Sequence, residues 1–157
     1  MSLDDETKTF LRSLPSTLNA YHDFVEEILN EMLQMDWDKS ILFGVHMALE
    51  ESISNAIRHG NQENPKKQVQ VKCEISAVRF WANICDEGEG YAAGAVPDCR
   101  SPGNLGAPGG RGLALIRAYM TTVELSKNGS CLTMEKLLEE PAGLSLLQPF
   151  ASYYKVE

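Results

Sequence analysis

The sequence predicts an α+β fold, a two-layer sandwich with a mostly antiparallel mixed sheet and helices on one of its faces. Two helical patterns follow each other in the first half of the chain, with apolar residues every three or four positions. Short runs that alternate apolar and polar residues precede and follow these helices, which is typical of half-buried strands. With 157 residues, of which 43% are hydrophobic, the chain is long enough to bury one core.

Turn and capping residues mark the ends of most predicted elements. Pro15 ends the first strand, and Ser16 or Thr17 is expected to cap the helix that follows. Asp36 or Asp38 is expected to cap the second helix. In chain order the predicted elements are an edge strand at 7–14, a helix to about Met35, a helix from about Lys39 to His59 that stops at Gly60, strands at 69–75 and 78–85, a helix at 113–120, and strands at 121–125 and 131–138.

The net charge of the chain makes some classes of binding partner improbable. Its formal net charge of −8 argues against nucleic acid or an anionic membrane as the main partner, because both need a basic surface. The acidic segment 1–6 lacks the basic and apolar pattern of a signal peptide, and no apolar run approaches the ~18 residues of a membrane span. We therefore expect a cytoplasmic protein with no membrane or nucleic-acid partner.

The four cysteines are Cys73, Cys85, Cys99 and Cys131, and no two of them form a C-x-x-C pair. No histidine lies at metal-ligand spacing from them, so the pattern does not indicate a metal site. We expect four reduced thiols, with Cys73 and Cys85 serving as small hydrophobic residues of strands.

The second helix carries polar groups on the face opposite its apolar stripe. Glu51 and Asn55 are four residues apart, so their side chains point the same way. A carboxylate and an amide oxygen on one face can together hold Mg²⁺ and orient a hydroxyl group or a water. Taken alone, such a face is more often a solvated surface. The apolar stripe comprises Leu42, Val45, Leu49, Ile53 and Ala56, and the opposite face comprises Gly44, Ala48, Glu51, Asn55 and Arg58.

A segment crowded with glycine and proline, residues 86–112, follows the first predicted hairpin, and each of its ends carries a glycine motif. At the near end, the Asp86 carboxylate can accept hydrogen bonds from an exocyclic amine such as that of adenine. Gly88 and Gly90 let the backbone turn tightly and lie against a flat ring. An ordinary strand exit is the alternative interpretation of this motif by itself.

The far end of the segment, Gly109-Gly110-Arg111-Gly112, lies directly before a predicted helix. Backbone N–H groups and the helix dipole at such an end favour the binding of phosphate, although many glycine loops only link two elements. The sequence has no GxxxxGK[ST] motif, so a P-loop is not predicted. No parallel βαβ unit surrounds either motif, so a Rossmann site is not expected.

Together and in this order, the ExxxN helix, the DxGxG strand exit and the GxG helix start resemble the GHKL ATPase superfamily, which includes histidine kinases, gyrase and the Hsp90 chaperones. The sequence most resembles the bacterial anti-sigma factor kinases, which phosphorylate anti-sigma antagonists on serine. No dimerisation helix with a phosphoaccepting histidine precedes the motifs, so a complete histidine kinase is not expected. The matching stretches are 51–60, 86–91 and 110–116.

The resemblance implies a histidine-kinase-like ATPase domain of the Bergerat type over residues 1–138, followed by a C-terminal extension at 139–157. In the implied site, Asn55 would ligate Mg²⁺ and Asp86 would bind the adenine amine. Glu51 would orient or deprotonate the attacking serine hydroxyl, which is a task that a carboxylate can perform at neutral pH.

Other residues of the three motifs would contact the base, ribose and phosphates of ATP. An arginine would neutralise charge on the γ-phosphate in the transition state. Arg111 ranks before Arg58 and Arg100 for this catalytic role, because it lies inside the glycine motif. The nucleotide contacts implied beyond Asn55 and Asp86 are Arg58, Gly88, Gly90, Gly110, Arg111, Gly112 and Leu113.

The function that the resemblance implies is that of an anti-sigma factor with ATP-dependent protein serine kinase activity. Its substrate would be an anti-sigma antagonist protein, its second partner would be a sigma factor, and a homodimer is left open. Two alternatives remain at this stage. One is an ATP-binding switch that transfers no phosphate, and the other is an interaction module with a vestigial nucleotide site.

Overall fold

A computed structural model describes residues 6–88 and 110–139, and its centre is a five-stranded sheet. The strands lie in the order β1-β2-β3-β5-β4, so β1 and β4 form the edges. All four ladders that join these strands are antiparallel. The strands are β1 (Lys8–Pro15), β2 (Gln68–Ile75), β3 (Arg79–Cys85), β4 (Thr122–Ser126) and β5 (Cys131–Leu137).

Three α-helices pack on one face of the sheet through a shared apolar core. Alternate residues of β2 and β3 are buried, and these residues form one cluster with the apolar stripes of the first two helices. The predicted α+β sandwich is therefore confirmed. Within residues 6–88 and 110–139, no helix has the length and apolar character that a membrane crossing requires. The helices are α1 (His22–Gln34), α2 (Lys39–Asn55) and α3 (Gly110–Tyr119), and a π-helical turn at Ala56–Gly60 continues α2.

The first helix begins later in the chain than we predicted from the capping candidates Ser16 and Thr17. α1 starts at His22, while Thr17 lies in a bend before it. Ser16 is buried and does not cap the helix, because its hydroxyl donates to the Lys67 carbonyl oxygen at 2.6 Å. The predicted cap is therefore wrong, since a long-range contact between β1 and the turn before β2 uses the Ser16 hydroxyl.

The second helix begins after Asp38, as predicted, but its C-terminal end differs from the prediction. Asp38 Oδ1 accepts hydrogen bonds from the backbone N–H and the hydroxyl of Ser40, which lower the pKa of this carboxyl. At the other end Gly60 does not terminate the helix, because it lies inside the π-helical turn. The backbone N–H of Asn61 closes that turn on the Ala56 carbonyl at 2.8 Å. The helical path thus extends one residue beyond the predicted end at His59.

The prediction of four reduced thiols is wrong for Cys85 and Cys131, which form a disulfide. The two residues are direct partners in the β3–β5 ladder. The next pair in the same register, Asp86 and Ser130, is joined by an N–H to carbonyl hydrogen bond of 2.8 Å. The cysteines therefore occupy a non-hydrogen-bonded pair, the position at which opposite side chains lie closest together. Cys73 is a free, buried thiol, as predicted.

The small residues of α2 provide room for α3 to pack closely. Gly44 and Ala48 are buried, so the first half of this face of α2 is covered rather than solvated. A Cβ atom on Gly44 would lie 2.9 Å from the Cδ1 atom of Tyr119 in α3. The contact therefore fixes α3 beside α2 and brings the first turn of α3 towards Glu51 and Asn55.

Replacing Trp37 by phenylalanine should destabilise the fold. Trp37 is 3% exposed, and its Nε1–H donates to the Ser76 carbonyl oxygen at 2.9 Å, which joins the helix layer to the β2–β3 turn. Trp37→Phe leaves that carbonyl without its donor and should lower the free energy of unfolding by about 1–3 kcal/mol in urea denaturation. Trp81→Phe, on the outer face of the sheet, is the control and should cost at most about 1 kcal/mol. Equal costs would contradict the role given to the Trp37 hydrogen bond.

Candidate nucleotide site

A cavity of about 540 Å³ opens between the C-terminal part of α2, the start of α3 and the adjoining ends of β3, β4 and β5. Its size lies in the range of about 300–1,000 Å³ that is typical of small-molecule sites. The lining residues come from four separate parts of the chain, and only the fold brings these parts together. They lie within 52–67, 84–88, 113–116 and 125–132.

One side of the cavity is a tight contact between Asp86 and two glycines. Asp86 Oδ1 accepts a hydrogen bond of 2.8 Å from the Gly88 N–H. A Cβ atom on Gly60 would overlap the Asp86 carboxylate and lie 2.7 Å from its Oδ1. A Cβ atom on Gly88 would overlap the Gly60 carbonyl. Gly60 is therefore required for the space it leaves beside Asp86, and not as the helix terminator that the sequence predicted.

Burial is the main influence on the pKa of the Asp86 carboxyl group. Loss of hydration raises its pKa, while the Gly88 N–H and the charge of Lys67 act in the opposite direction. A carboxylate that has lost water retains unused acceptor capacity. It is therefore suited to accept hydrogen bonds from a ligand amine that enters the cavity.

The buried amide of Asn61 positions the turn that carries Asp86. Asn61 is 1% exposed, and its Oδ1 accepts the Glu87 N–H at 2.7 Å. Its Nδ2 group donates to the Ser16 hydroxyl and to the Gln68 carbonyl, each at 3.0 Å. One side chain thus joins the end of α2, the start of β2 and the Asp86 turn. The sequence alone did not predict this role for Asn61.

Glu51 and Asn55 lie side by side beneath α3, where Asn55 lines the cavity and Glu51 lies just behind it. The Asn55 Nδ2 donates to Glu51 Oε1 at 3.5 Å, and both residues are half-buried. A Cβ atom on Gly112 would overlap Asn55 Nδ2 and lie 2.7 Å from Glu51 Oε1. The backbone of the first turn of α3 therefore lies directly on this pair, and Asn55 itself lines the cavity.

The remaining predicted site residues fall into three groups. Leu113 and Gly88 line the cavity together with Asn55 and Asp86. Arg58 is exposed and is not among the lining residues. Gly90 and Arg100 lie outside the described residues, as does the side chain of Arg111, while the backbones of Gly110 and Arg111 open α3.

Comparison with known proteins identifies the family. Residues 11–136 match the model of the histidine kinase-like ATPase domain. The chain belongs to this family. It is 29% identical over 115 residues to the anti-sigma F factor of Heyndrickxia coagulans, an alignment that covers 67% of this chain and 76% of that protein. The resemblance to the anti-sigma factor branch is thereby confirmed.

A solved structure supports the fold of this histidine kinase-like ATPase domain. The crystal structure of the RsbU and RsbW domains of Rv1364c from Mycobacterium tuberculosis matches with a TM-score of 0.59 and 19% sequence identity. The match covers 86% of this chain and 34% of that chain, so our chain spans about a third of its length. At this identity the similarity shows the fold.

Several residues of the ATPase-domain cavity were not predicted from the sequence. Lys67, which lies near enough to Asp86 to affect its pKa, sits in a polar turn without periodicity. Gly129 and Ser130 reach the cavity because β5 pairs with β3, a pairing that skips β4. No local signal in the sequence connects Gly129 and Ser130 with Asp86. His59 also lines the cavity.

Replacing Asn61 by alanine should loosen the Asp86 turn. The substitution leaves the Glu87 N–H and the Gln68 carbonyl without their partner, so the free energy of unfolding should fall by about 1–3 kcal/mol. Hydrogen exchange at the Glu87 amide should also become faster. Asn64→Ala in the same turn is the matched control, since the Asn64 side chain accepts the exposed Lys66 N–H. If the Glu87 amide stays as protected in Asn61→Ala as in Asn64→Ala, Asn61 does not hold the turn.

Proposed function

We propose that this histidine kinase-like ATPase domain binds ATP with Mg²⁺ and acts as an anti-sigma factor that phosphorylates an antagonist protein on serine. The observation that carries the proposal is that one cavity is bordered both by Asp86 in its glycine contact and by Asn55 beside Glu51. Similarity to an anti-sigma F factor supports the class of partner. The sigma factor would be bound by the same domain, residues 1–138.

The cavity has the properties that an adenine nucleotide requires. Asp86 offers an acceptor for the exocyclic amine, and Gly60 and Gly88 keep the backbone free of side chains beside it. Ile84, Ile116 and Leu132 supply apolar surface for the faces of the ring. In this proposal Gly88 and Gly90 approach the base and ribose, and the amides of Gly110, Gly112 and Leu113 bind phosphate.

The donor set around Asn55 fits a magnesium ion that the nucleotide helps to hold. Within the described residues, no group of three or more His, Cys, Asp or Glu side chains is placed to hold a metal ion. Mg²⁺ is commonly bound by one or two protein oxygens together with substrate phosphates and waters, so one amide oxygen suits it. Asn55 donates through Nδ2 to Glu51, which leaves its Oδ1 as the ligand atom. When bound, Mg²⁺ would neutralise charge on the phosphate oxygens.

In the proposed reaction, Glu51 acts on the serine of the antagonist. Its carboxylate would accept the hydroxyl proton as the serine oxygen bonds to the γ-phosphorus, the bond from that phosphorus to the bridging oxygen breaks, and ADP leaves. The Asn55 Nδ2 lies 3.5 Å from Glu51 Oε1, so the proposed metal ligand and the proposed base are adjacent. Arg111 would supply positive charge at the phosphate. Arg58 is a weaker candidate for this role, because it is exposed and does not line the cavity.

Replacing Asp86 by asparagine tests the base pocket. Asp86→Asn keeps the size of the side chain and replaces one acceptor by a donor, so ATP affinity should fall by about 1.5–3 kcal/mol, the range for a hydrogen bond to a charged group. Isothermal titration calorimetry measures the change. Glu87→Gln is the matched control because Glu87 loses the same charge one residue away and does not line the cavity. GTP, which has a carbonyl oxygen in place of the 6-amino group of adenine, should bind poorly to the unmodified protein, and equal affinity for ATP and GTP would refute the role of Asp86.

Replacements of Glu51 and Asn55 separate binding from phosphoryl transfer. Asn55→Ala removes the metal ligand, so Mg²⁺-dependent ATP binding should weaken. Glu51→Gln retains the shape and removes the base, so ATP should still bind while phosphoryl transfer drops by about 10²-fold or more. The measurement pairs nucleotide titration with single-turnover phosphorylation of a panel of anti-sigma antagonist proteins.

The outcomes of this pair of assays distinguish the alternatives. If the Glu51→Gln variant transferred the phosphoryl group as fast as the unmodified protein, the role of Glu51 as base would be contradicted. ATP binding without transfer to any antagonist would favour a non-catalytic switch. Absence of nucleotide binding by the unmodified protein would favour an interaction module with a vestigial site.

A further inference from the structure

The Cys85–Cys131 disulfide lies at the edge of the cavity that the proposed function uses. Cys85 is the last residue of β3, and Cys131 is the first residue of β5. Asp86 follows Cys85 and Ser130 precedes Cys131, and both of these neighbours line the cavity. The Asp86 N–H donates to the Ser130 carbonyl at 2.8 Å, and this bond follows the disulfide directly. The covalent link is therefore one residue pair away from the carboxylate proposed to bind adenine.

The disulfide lies on the outer face of the sheet, opposite the helices. Cys85 alternates with buried Ile84 and shares the face of Asn83 and Trp81. Cys85 is half-buried and Cys131 is 2% exposed, so Cys85 is the more accessible residue of the pair. Cys73 differs, because it is enclosed in the core and burial raises the pKa of its thiol to about 12.

We propose that Cys85 and Cys131 form a reversible thiol–disulfide exchange site that tunes nucleotide affinity, with low-molecular-weight thiols and disulfides of the glutathione class as reagents. The inference rests on the proposed function, because its readout is ATP binding. In the reducing direction, a thiolate of the reagent attacks the Cys85 sulfur, the bond to Cys131 breaks, and Cys131 leaves as a thiolate. A second reagent thiolate attacks the mixed disulfide and releases Cys85. Two protein thiols and one reagent disulfide result, and two electrons pass to the protein.

Reduction changes the cavity through the last bonds of the β3–β5 ladder. With the disulfide formed, the strand ends cannot separate, and the Asp86–Ser130 hydrogen bond is held in register. With the disulfide broken, that bond is the terminal link of the ladder and opens more often. Asn61 still holds the Asp86 turn from the other side through Glu87. ATP should therefore bind about three- to tenfold more weakly after reduction, which is the scale of a modest loss of preorganisation.

The test uses the full chain with Cys73→Ala and Cys99→Ser, so that Cys85 and Cys131 are the two remaining thiols. The protein is equilibrated at graded ratios of glutathione and glutathione disulfide, alkylated, and analysed by mass spectrometry for the state of the pair. ATP affinity is then measured in the oxidised and reduced forms, with circular dichroism to establish that both are folded. Cys85→Ser in the same background is the matched variant that cannot form the bond.

The inference predicts an exchangeable Cys85–Cys131 disulfide and an ATP affinity that falls on reduction. Cys85→Ser should bind like the reduced protein and should not respond to glutathione. If Cys85→Ser does not fold, the comparison of the two redox forms of its parent decides the question. No disulfide at any glutathione ratio, or equal ATP affinity in both forms, would overturn the inference. Absence of ATP binding in both forms would instead overturn the proposed function.

Discussion

The contact between Gly60 and the Asp86 carboxylate is the constraint on which the site depends. The end of the helical path and the exit of β3 approach so closely that no Cβ atom fits at Gly60 or Gly88. Gly60 ends the π-helical turn at Ala56–Gly60, and such single turns within helices are frequent at functional sites. Asn61 follows the turn, and its amide reaches both β2 and the Asp86 turn.

Close packing at glycines also determines the structure on the opposite side of the cavity. Gly44 allows α3 to lie against α2, and Gly112 allows the first turn of α3 to rest on Glu51 and Asn55. The acid and the amide are half-buried beneath α3, which limits their access to water. Electrostatic interactions with a ligand are stronger in such a setting than on a solvated helix face. The glycines thus bring polar side chains and backbone together where larger residues would separate them.

The sequence predicted what depends on local periodicity and missed what depends on distant contacts. The alternation around Val71 and the stripe through Leu49 predicted β2 and α2, because burial of one face imposes these periods. Ser16 was misread because its hydroxyl bonds to Lys67 rather than to its own helix. The Cys85–Cys131 disulfide, like the position of Ser130, follows from the pairing of β3 with β5, which no local pattern encodes. For the candidate site, the motifs predicted Glu51, Asn55 and Asp86, and these roles stay predictions, whereas the positions of Asn61 and Lys67 emerge only from three-dimensional contacts.

The central claim is that Asp86 and Asn55 belong to one nucleotide site rather than to two unrelated polar clusters. The most direct measurement is solution NMR of the labelled protein titrated with a non-hydrolysable ATP analogue and Mg²⁺. For one shared site, we expect the signals of the Gly88 amide and the Asn55 side-chain amide to shift together, with one dissociation constant. Shifts at only one of these two groups, or shifts confined to the outer face of the sheet around Trp81, would contradict it.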